Sequence, residues 1–245
     1  MERREITIGH LFPDMLSVYG DTGNILTLKN RLIWRNMDVT VKTFEKDDPI
    51  SFDGIDILYL GGGDDHAQKQ VYERLLPHRD ALLAYIEAGG VLLATCGGFE
   101  MLGRNFEADG TTLSGLALLN ISVSSGKGRL IGNVVIESTI TGKTETFVGF
   151  ENHAGRMDIA GYEPFGRVIT GKGNNGEAGL EGVLYKNVLG TYLHGPLLPK
   201  NPRLADEILS RALMQKYKEA VSLEPLLDTF ENAAHEYAVN RFSEQ

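Results

Sequence analysis

The feature that most constrains the fold is a regular alternation of short apolar runs and amphipathic stretches in the first half of the chain. Strand-length apolar runs occupy residues 6–12, 39–44, 55–60 and 91–94. Apolar residues recur at helical spacing between them, over residues 24–37 and on either side of Pro77. Strands and helices that alternate in this way build a parallel sheet with helices on both faces. The sequence therefore predicts a three-layer α/β fold around a mostly parallel central sheet.

The second half of the chain is richer in β-type segments separated by glycine. These segments lie at residues 129–137, 147–152, 167–170, 182–185 and 188–193. Asn201 followed by Pro202 is typical of a helix start. A last helix is predicted from about Glu224, with one apolar stripe formed by Leu227, Phe230, Ala234, Tyr237 and Ala238. Because no repeat or linker interrupts the chain, we expect one domain over residues 1–245, with C-terminal helices at 202–242 packed on it.

Charge and cysteine content exclude several classes of protein. The 245 residues include 24 Lys and Arg against 33 Asp and Glu, a net charge of −9. A protein whose main partner is a nucleic acid or an anionic membrane needs clustered positive charge, and the sequence has no such cluster. The chain has one cysteine, which excludes an internal disulfide and a multi-cysteine zinc site. We expect a soluble, cytoplasmic protein that holds no metal.

That cysteine, Cys96, has the sequence context of a catalytic nucleophile. An apolar strand at residues 91–94 leads through Thr95 into Cys96, and two glycines then open a short helical segment. This is the layout of a nucleophile elbow, in which a sharp turn exposes the nucleophile and requires small neighbours. A helix start beside the sulfur is also expected to favour the thiolate. A buried structural cysteine is the alternative, and the strand–Cys–Gly–Gly pattern favours the nucleophile.

A cysteine nucleophile needs a base, and two histidines fit equally well on spacing alone. His194 and His153 each lie at the end of a strand-like run. Sites in open α/β sheets form beyond the carboxyl ends of the strands, where both histidines would meet Cys96. The other histidines lack that context. The sequence pattern by itself leaves the choice between His194 and His153 open.

Three glycines at residues 61–63 follow the third strand-like run and precede Asp64, Asp65 and His66. Free N–H groups in such a turn can hold an anion or an oxyanion. The pattern is weak in isolation, because most glycine turns are only turns. Three consecutive polar residues rarely converge on one ion, so we interpret Asp64, Asp65 and His66 as a solvated loop. The chain has no P-loop, because Glu137 occupies the position where its first glycine would be required.

Three ordered motifs together resemble the class I (Triad-type) glutamine amidotransferases, within the cobyric acid synthase-like branch. The first is the cysteine elbow at residues 96–103. The second is Gly-Phe-Glu-Asn-His-Ala-Gly at residues 149–155, and the third is Gly-Thr-Tyr-Leu-His-Gly at residues 190–195. The resemblance covers about residues 5–215. It implies a flavodoxin-like, three-layer amidotransferase fold and the hydrolysis of glutamine.

Two further stretches, at residues 19–24 and 61–68, resemble the glutaminase subunits of lipid II isoglutaminyl synthases. That resemblance implies that the chain delivers ammonia for amidating the D-glutamate of lipid II during peptidoglycan synthesis. It also implies a heterodimer with an ATP-dependent, Mur ligase-like synthase subunit, which would hold the ATP and Mg²⁺. Alternatives are an amidotransferase subunit that serves another carboxylate, such as a corrinoid, a stand-alone Cys-His hydrolase, and a nucleotide-binding regulatory domain.

The resemblance also assigns roles to residues. Cys96 would be the nucleophile and His194 the base, with His153 in a structural role. The N–H groups of Gly97 and of Gly62 or Gly63 would form the oxyanion hole. Arg129 is the candidate for binding the α-carboxylate of glutamine, because its guanidinium can pair with a carboxylate through two hydrogen bonds.

The sequence departs from the family pattern at three places. Ala94 stands where the family usually has Gly, and Glu100 where it usually has a Gln that lines the glutamine pocket. Gly195 and Pro196 stand where many relatives carry the acid that orients the histidine. Either Glu151 or Asp64 would then supply that acid, or the partner subunit would.

Overall fold

The structure is a computed structural model that describes residues 3–108 and 111–243. Its strands and helices follow in the order β1 (Glu5–Leu11), α1 (Thr22–Ile33), β2 (Asp38–Phe44), β3 (Ile57–Leu60), α2 (Asp65–Leu75), α3 (Arg79–Glu87), β4 (Val91–Thr95), α4 (Gly97–Met101), β5 (Asn105–Ala108), β6 (Thr111–Ser114), β7 (Ser122–Ser138), β8 (Glu145–Asp158), β9 (Gly166–Thr170), β10 (Leu180–Glu181), β11 (Val183–Tyr185), β12 (Val188–Thr191), α5 (Pro202–Tyr217) and α6 (Thr229–Ser243). Single 3₁₀ turns lie at Leu76–His78 and Leu198–Lys200.

The central sheet has six strands in the order β11-β12-β4-β3-β1-β2. Strands β12, β4, β3, β1 and β2 run parallel to their neighbours, and only β11 is antiparallel to β12. The prediction of a mostly parallel α/β sheet is therefore confirmed. Strand β4, which leads to the cysteine, lies in the interior of the sheet between β3 and β12.

Helices cover both faces of this sheet. Successive side chains of a strand point to opposite faces, so a strand that is apolar throughout must be covered on both. In β3, Leu58 and Leu60 belong to the core beside α2 and α3, whereas Ile57 and Tyr59 belong to the core beside α1 and α5. All four side chains are fully buried. Each buried aliphatic side chain contributes about 1.5–3 kcal/mol to folding, so the two cores fix the position of the strand ends.

A second, antiparallel sheet accounts for the glycine-punctuated half of the chain. Its order is β10-β9-β7-β8, and β7 and β8 form a long hairpin. The sequence predicted strands in this region but not that they form a separate sheet. Pairing shifts between Ser125 and Leu130, so residues 126–129 of β7 lie opposite Ala154 alone. The extra residues form a bulge that carries Arg129 out of the hairpin.

Helix α5 begins at Pro202, as predicted, and packs Leu204, Ile208 and Leu213 into the core beside α1. The side chain of Asn201 does not cap α5. Its Oδ1 accepts the N–H of Val148 at 2.9 Å and its Nδ2 donates to the carbonyl of Val148 at 2.8 Å. Asn201 thus ties the start of α5 to β8, while its backbone carbonyl accepts the first helical N–H groups.

The prediction for the last helix is wrong in two respects. Helix α6 begins at Thr229 rather than near Glu224. The expected buried stripe is mostly exposed, since Leu227, Phe230 and Tyr237 keep 93%, 85% and 70% of their surface accessible. Only Ala238 of that stripe is buried. Apolar spacing identified a helix, but it carried no information about which face has a neighbour. None of the helices in the described ranges is long and apolar enough to cross a membrane.

Candidate active site

Cys96 lies in a sharp turn at the carboxyl end of β4. Its φ and ψ angles are 52° and −118°, a strained backbone conformation for a residue with a side chain. Its N–H donates to the carbonyl of Thr191 at 2.8 Å, which ties the turn to β12. Gly98 is required behind the turn, because a Cβ there would lie 2.6 Å from the carbonyl oxygen of Gly61. This is the geometry of the nucleophile elbow that the sequence predicts.

His194 reaches the same edge of the sheet from the neighbouring strand. Thr191, the last residue of β12, is paired in parallel register with Thr95, so the chain leaves both strands side by side. The backbone of His194 then exchanges two hydrogen bonds with Phe150 of β8, at 3.0 and 3.2 Å. The central sheet and the second sheet therefore meet at His194, beside the cysteine turn.

An open pocket of about 650 Å³ lies over this edge of the sheet. The residues that line it include Tyr19, Gly63, Cys96, Glu100, Arg129 and His153. The structure thus brings the predicted nucleophile, two predicted oxyanion donors (Gly63 and Gly97) and the predicted carboxylate-binding arginine to one cavity, whereas His194 is not among the residues that line it. Those roles remain predictions, because a shared cavity does not establish what each residue does.

Burial controls the protonation state of Cys96. Burial, followed by the negative charge of Glu100, raises the pKa of the thiol to about 12, although the N–H of Gly97 and the charge of Arg129 act in the opposite direction. The expectation that the helix start would favour the thiolate is therefore not met in the isolated chain. Helix α4 has only five residues, and its N-terminal N–H groups do not offset the burial of the sulfur.

His194 is a buried, neutral imidazole. Burial, together with the electrostatic effect of His153 and the positive charges of Lys200 and Arg129, lowers its pKa to about 4. Neither ring nitrogen has a hydrogen-bond partner within residues 3–108 and 111–243. The ring stacks on Tyr19 with 4.0 Å between centroids and an interplanar angle of 25°. A neutral imidazole can accept a proton, but with the thiol pKa at about 12 and the imidazole pKa at about 4 this transfer is unfavourable in the isolated chain.

His153 is held differently from His194. Its Nδ1 donates to the carbonyl of Gly155 at 2.8 Å, and its ring stacks on Tyr192 with 3.5 Å between centroids. Its Nε2 lies 3.6 Å from the carboxylate of Glu151. These contacts fix His153 between β8 and the segment after β12, and they suit the structural role predicted for it.

The glycine turn at residues 61–63 packs directly against the nucleophile. A Cβ on Gly62 would lie 2.9 Å from the Cβ of Cys96. The N–H of Gly62 donates to Oδ2 of Asp21 at 3.1 Å, so it is not free to bind an oxyanion in this structure. Of the predicted oxyanion donors, Gly63 and Gly97 remain. Asp21 was not among the site residues that the motifs predicted, although it lies in the segment at residues 19–24 that carried part of the resemblance.

Arg129 is oriented by Asn152 of β8. Its Nε donates to Oδ1 of Asn152 at 2.7 Å, and its Nη2 donates to the carbonyl of the same residue at 2.8 Å. One edge of the guanidinium is therefore occupied, and a carboxylate would meet the end formed by Nη1 and Nη2. The Nδ2 of Asn152 donates in turn to the hydroxyl of Tyr19 at 3.0 Å. Neither Asn152 nor Tyr19 was among the site residues that the motifs predicted.

Glu100 contributes a buried carboxylate to the pocket. It keeps 5% of its surface accessible, and its Oε1 accepts the hydroxyl of Tyr192 at 2.8 Å. Gly155 makes room for it, because a Cβ there would lie 2.5 Å from the same oxygen. At this point in the pocket the chain therefore presents an acid beside the thiol, where the family pattern has a neutral amide.

The two acids suggested for orienting His194 are both engaged elsewhere. The carboxylate of Glu151 accepts the N–H groups of Lys172 and Gly173 at 2.7 and 2.8 Å. The side chain of Asp64 caps α2 by accepting the N–H of Ala67 at 2.8 Å. The structure therefore does not support either residue as the orienting acid. In the described part of the chain, no group of three or more His, Cys, Asp or Glu side chains is placed to hold a metal ion.

Comparison with known proteins agrees with this geometry. Residues 7–202 match the CobB/CobQ-like glutamine amidotransferase domain. The chain belongs to the CobB/CobQ-like glutamine amidotransferase family. The resemblance inferred from the sequence motifs is thereby confirmed.

Two curated relatives of this family are subunit GatD of the glutamine-hydrolysing lipid II isoglutaminyl synthase. The chain is 43% identical to the Staphylococcus aureus protein, over 86% of each chain. It is 37% identical to the Streptococcus pneumoniae protein, over 96% of this chain and 91% of that one. A solved structure described as a glutamine amidotransferase superposes with a TM-score of 0.57, at 20% identity, over 84% of this chain and 98% of the other. This last likeness supports the fold.

Proposed function

We propose that this chain is the glutamine-hydrolysing subunit of a lipid II isoglutaminyl synthase. The observation that carries the proposal is that the parallel strands β4 and β12 end side by side and lead to Cys96 and His194, with Arg129 in the pocket that Cys96 lines. Identity of 43% and 37% to two GatD subunits, over most of each chain, supports the choice of acceptor. The product of the assembled enzyme would be lipid II whose D-glutamate is amidated to D-isoglutamine.

Catalysis would begin with proton transfer from Cys96 to His194. The imidazole takes the thiol proton, and the thiolate attacks the carbonyl carbon of the glutamine side chain. The carbonyl oxygen becomes an oxyanion that the N–H groups of Gly63 and Gly97 would hold. One such donor is worth about 2.7–4 kcal/mol in comparable sites. Arg129 would hold the α-carboxylate and so set the distance from the carboxamide to the sulfur.

Collapse of the tetrahedral intermediate would release ammonia. The C–N bond breaks, His194 returns its proton to the leaving nitrogen, and a thioester to Cys96 remains. Water, deprotonated by His194, then attacks the thioester carbon and releases glutamate, with the sulfur regaining its proton. Each proton that His194 accepts is returned within the cycle, so the imidazole ends neutral.

The ammonia would pass to a Mur ligase-like partner that binds ATP and Mg²⁺. Ammonia released into water near neutral pH is mostly protonated, as amines are, and is then not a nucleophile. A sealed path to the partner avoids this loss. We further propose that the partner supplies the acid that orients His194. An enzyme completed only on assembly would hydrolyse little glutamine alone.

The test compares Cys96→Ala with the wild-type chain, each assembled with its synthase partner. Glutamine-dependent amidation of lipid II should disappear in the variant, and an ammonium salt should restore it. A lack of rescue would argue against transfer of free ammonia. Glutamine hydrolysis that survives in Cys96→Ala would refute the nucleophile. Amidation of a different carboxylate in preference to lipid II would refute the acceptor.

A further inference from the structure

The imidazole of His194 is positioned by an aromatic ring. Tyr19 stacks on it at 4.0 Å and 25°, and Phe150 meets it edge-on at 5.9 Å and 63°. Side-chain hydrogen bonds to the ring are absent over the ranges that the structure describes. Stacking therefore fixes the plane of the ring, and it leaves both nitrogens, which lie in that plane, available to other groups.

The segment that carries Tyr19 is itself fixed against the segment that carries His194. Gly23 lies so close to Pro196 that a Cβ on the glycine would be 2.6 Å from the proline Cγ. Gly20 has a φ angle of +76° and faces the same proline. Because residues 20–23 and Pro196 interlock, Tyr19 and His194 keep their relative position.

The hydroxyl of Tyr19 extends this arrangement to the substrate-binding side of the pocket. It accepts a hydrogen bond from Nδ2 of Asn152 at 3.0 Å. Asn152 in turn accepts two hydrogen bonds from Arg129 through its side-chain and backbone oxygens. Four residues, Arg129, Asn152, Tyr19 and His194, thus form a continuous chain of contacts from the guanidinium to the imidazole.

We propose that Tyr19 is the positioning residue for His194, and that Tyr19 and Asn152 couple occupation of Arg129 by a carboxylate to the placement of the imidazole. This inference rests on the proposed glutaminase function. The ring of Tyr19 sets the plane of the His194 imidazole. The hydroxyl of Tyr19 is linked to Arg129 through Asn152, so a shift of the guanidinium would be transmitted to the tyrosine. Glutamine with its α-carboxylate on Arg129 would hold the chain of contacts in its active arrangement.

The two parts of the tyrosine are separable by substitution. Tyr19→Leu removes the stack, and Tyr19→Phe keeps the stack but removes the hydroxyl. In the assembled enzyme Tyr19→Leu should lower kcat for glutamine about ten- to a hundredfold, the range expected when a catalytic base is misplaced by up to about 1 Å. Tyr19→Phe should restore most of that kcat. Tyr162→Leu is the matched control, because Tyr162 is a half-buried tyrosine whose ring meets that of Tyr185 edge-on, outside the pocket.

The coupling is tested with 4-aminobutanamide, which is glutamine without its α-carboxylate. The wild-type enzyme should prefer glutamine in kcat/KM. Both Tyr19→Phe and Asn152→Ala should reduce that preference, and neither should reduce it further when Arg129 is already Ala. If the effects of Tyr19→Phe and Arg129→Ala on this preference multiply in the double variant, the two residues act independently and the coupling is refuted.

Three outcomes separate this inference from the function on which it rests. A wild-type complex that does not hydrolyse glutamine would refute the proposed function. An active wild type with an equally active Tyr19→Leu variant would refute only the positioning role. Equal losses of kcat in Tyr19→Phe and Tyr19→Leu would also refute it, because the ring would then not be what positions His194. Thermal melting of each variant beside Tyr162→Leu identifies losses caused by unfolding.

Discussion

Asp21 precedes α1 at the helix N-cap, yet its carboxylate bonds to the N–H of Gly62 at 3.1 Å and not to the helix. An Asp at this position ordinarily caps its own helix, and that cap is worth about 1 kcal/mol. Here the buried carboxylate instead fixes the glycine turn that packs against Cys96. Burial raises the pKa of Asp21, while the Gly62 N–H acts in the opposite direction. The Asp21 carboxylate therefore stabilises the glycine turn beside Cys96 and leaves the N-terminus of α1 without a side-chain cap.

Removal of this carboxylate should loosen the glycine turn and impair the chemical step. Asp21→Ala should lower kcat for glutamine hydrolysis by up to about 10²–10³, the cost of losing one oxyanion donor, because a looser turn would displace the N–H of Gly63; KM should change less. Asp21→Asn keeps an oxygen that can accept the Gly62 N–H, and it should recover most of the activity. Steady-state release of glutamate from the assembled enzyme measures both parameters.

Thr22→Ala is the matched control for Asp21, because it changes the start of α1 without touching the turn. Its kcat should stay close to that of the wild type. If Asp21→Ala also hydrolyses glutamine at the wild-type rate, the turn does not depend on Asp21.

The thiol of Cys96 should react slowly at neutral pH in the isolated chain. Only the thiolate is nucleophilic, and burial together with Glu100 raises the pKa of Cys96 to about 12. Below that pKa the thiolate fraction grows about tenfold per pH unit. Alkylation by iodoacetamide, followed by mass spectrometry, should therefore accelerate steadily from pH 7 to pH 10. Cys96 is the only cysteine, so the readout is unambiguous.

Glu100→Gln provides the internal comparison for this measurement. Removing the negative charge should lower the pKa of Cys96 and speed alkylation at every pH in that range. A wild-type rate that is already at its plateau near pH 7 would contradict the raised pKa.

The two site histidines should differ in what their loss affects. His194→Ala should lower kcat by about 10²–10⁴, the usual contribution of a general base, in addition to the stability lost by truncating a buried, stacked side chain. His153 is buried between Tyr192 and Glu151, so His153→Ala should mainly cost stability, about 2–4 kcal/mol for a large-to-small change in a core. Denaturant unfolding and glutamate release separate the two effects. The reverse pattern would assign the base to His153.

Glu181 should make the chain less stable as the pH rises. Burial raises the pKa of this carboxyl to about 8 from an ordinary value of 4.5. Between these values the folded chain retains a proton that the unfolded chain has released, so the free energy of unfolding falls as the pH increases from about 4.5 to 8. Glu181→Gln has no such proton. The free energy of unfolding of Glu181→Gln should therefore rise relative to that of the wild type between pH 5 and pH 8, by several kcal/mol at about 1.36 kcal/mol per pKa unit.

Urea unfolding at pH 5, 6.5 and 8 measures this difference. Glu177→Gln, at an exposed position, should follow the wild type throughout. Parallel curves for the wild type and Glu181→Gln would show that Glu181 titrates normally.

Local patterns were sufficient to predict the central sheet and the elbow. The apolar runs before Gly61 and Cys96 have the length and composition of buried strands, and the two glycines after Cys96 permit its turn. The bonds that organise the site escaped sequence analysis because they join distant residues: 41 positions separate Asp21 from Gly62, and 133 separate Tyr19 from Asn152. The face of α6 was misjudged for a related reason, since periodicity does not say what a helix packs against.

The ion pairs that Arg31 forms with Asp206 and Asp228 show that the folded unit extends past the residues that match the family. Arg31 keeps 2% of its surface accessible, and its guanidinium donates to the carboxylates of Asp206 and Asp228. The family match ends at residue 202, before either acid. A fragment ending there would lose both carboxylates that pair with Arg31 and would also lack α5, whose apolar residues belong to the core beside α1. Expression fragments and chimeras of this chain should therefore extend at least to Asp228.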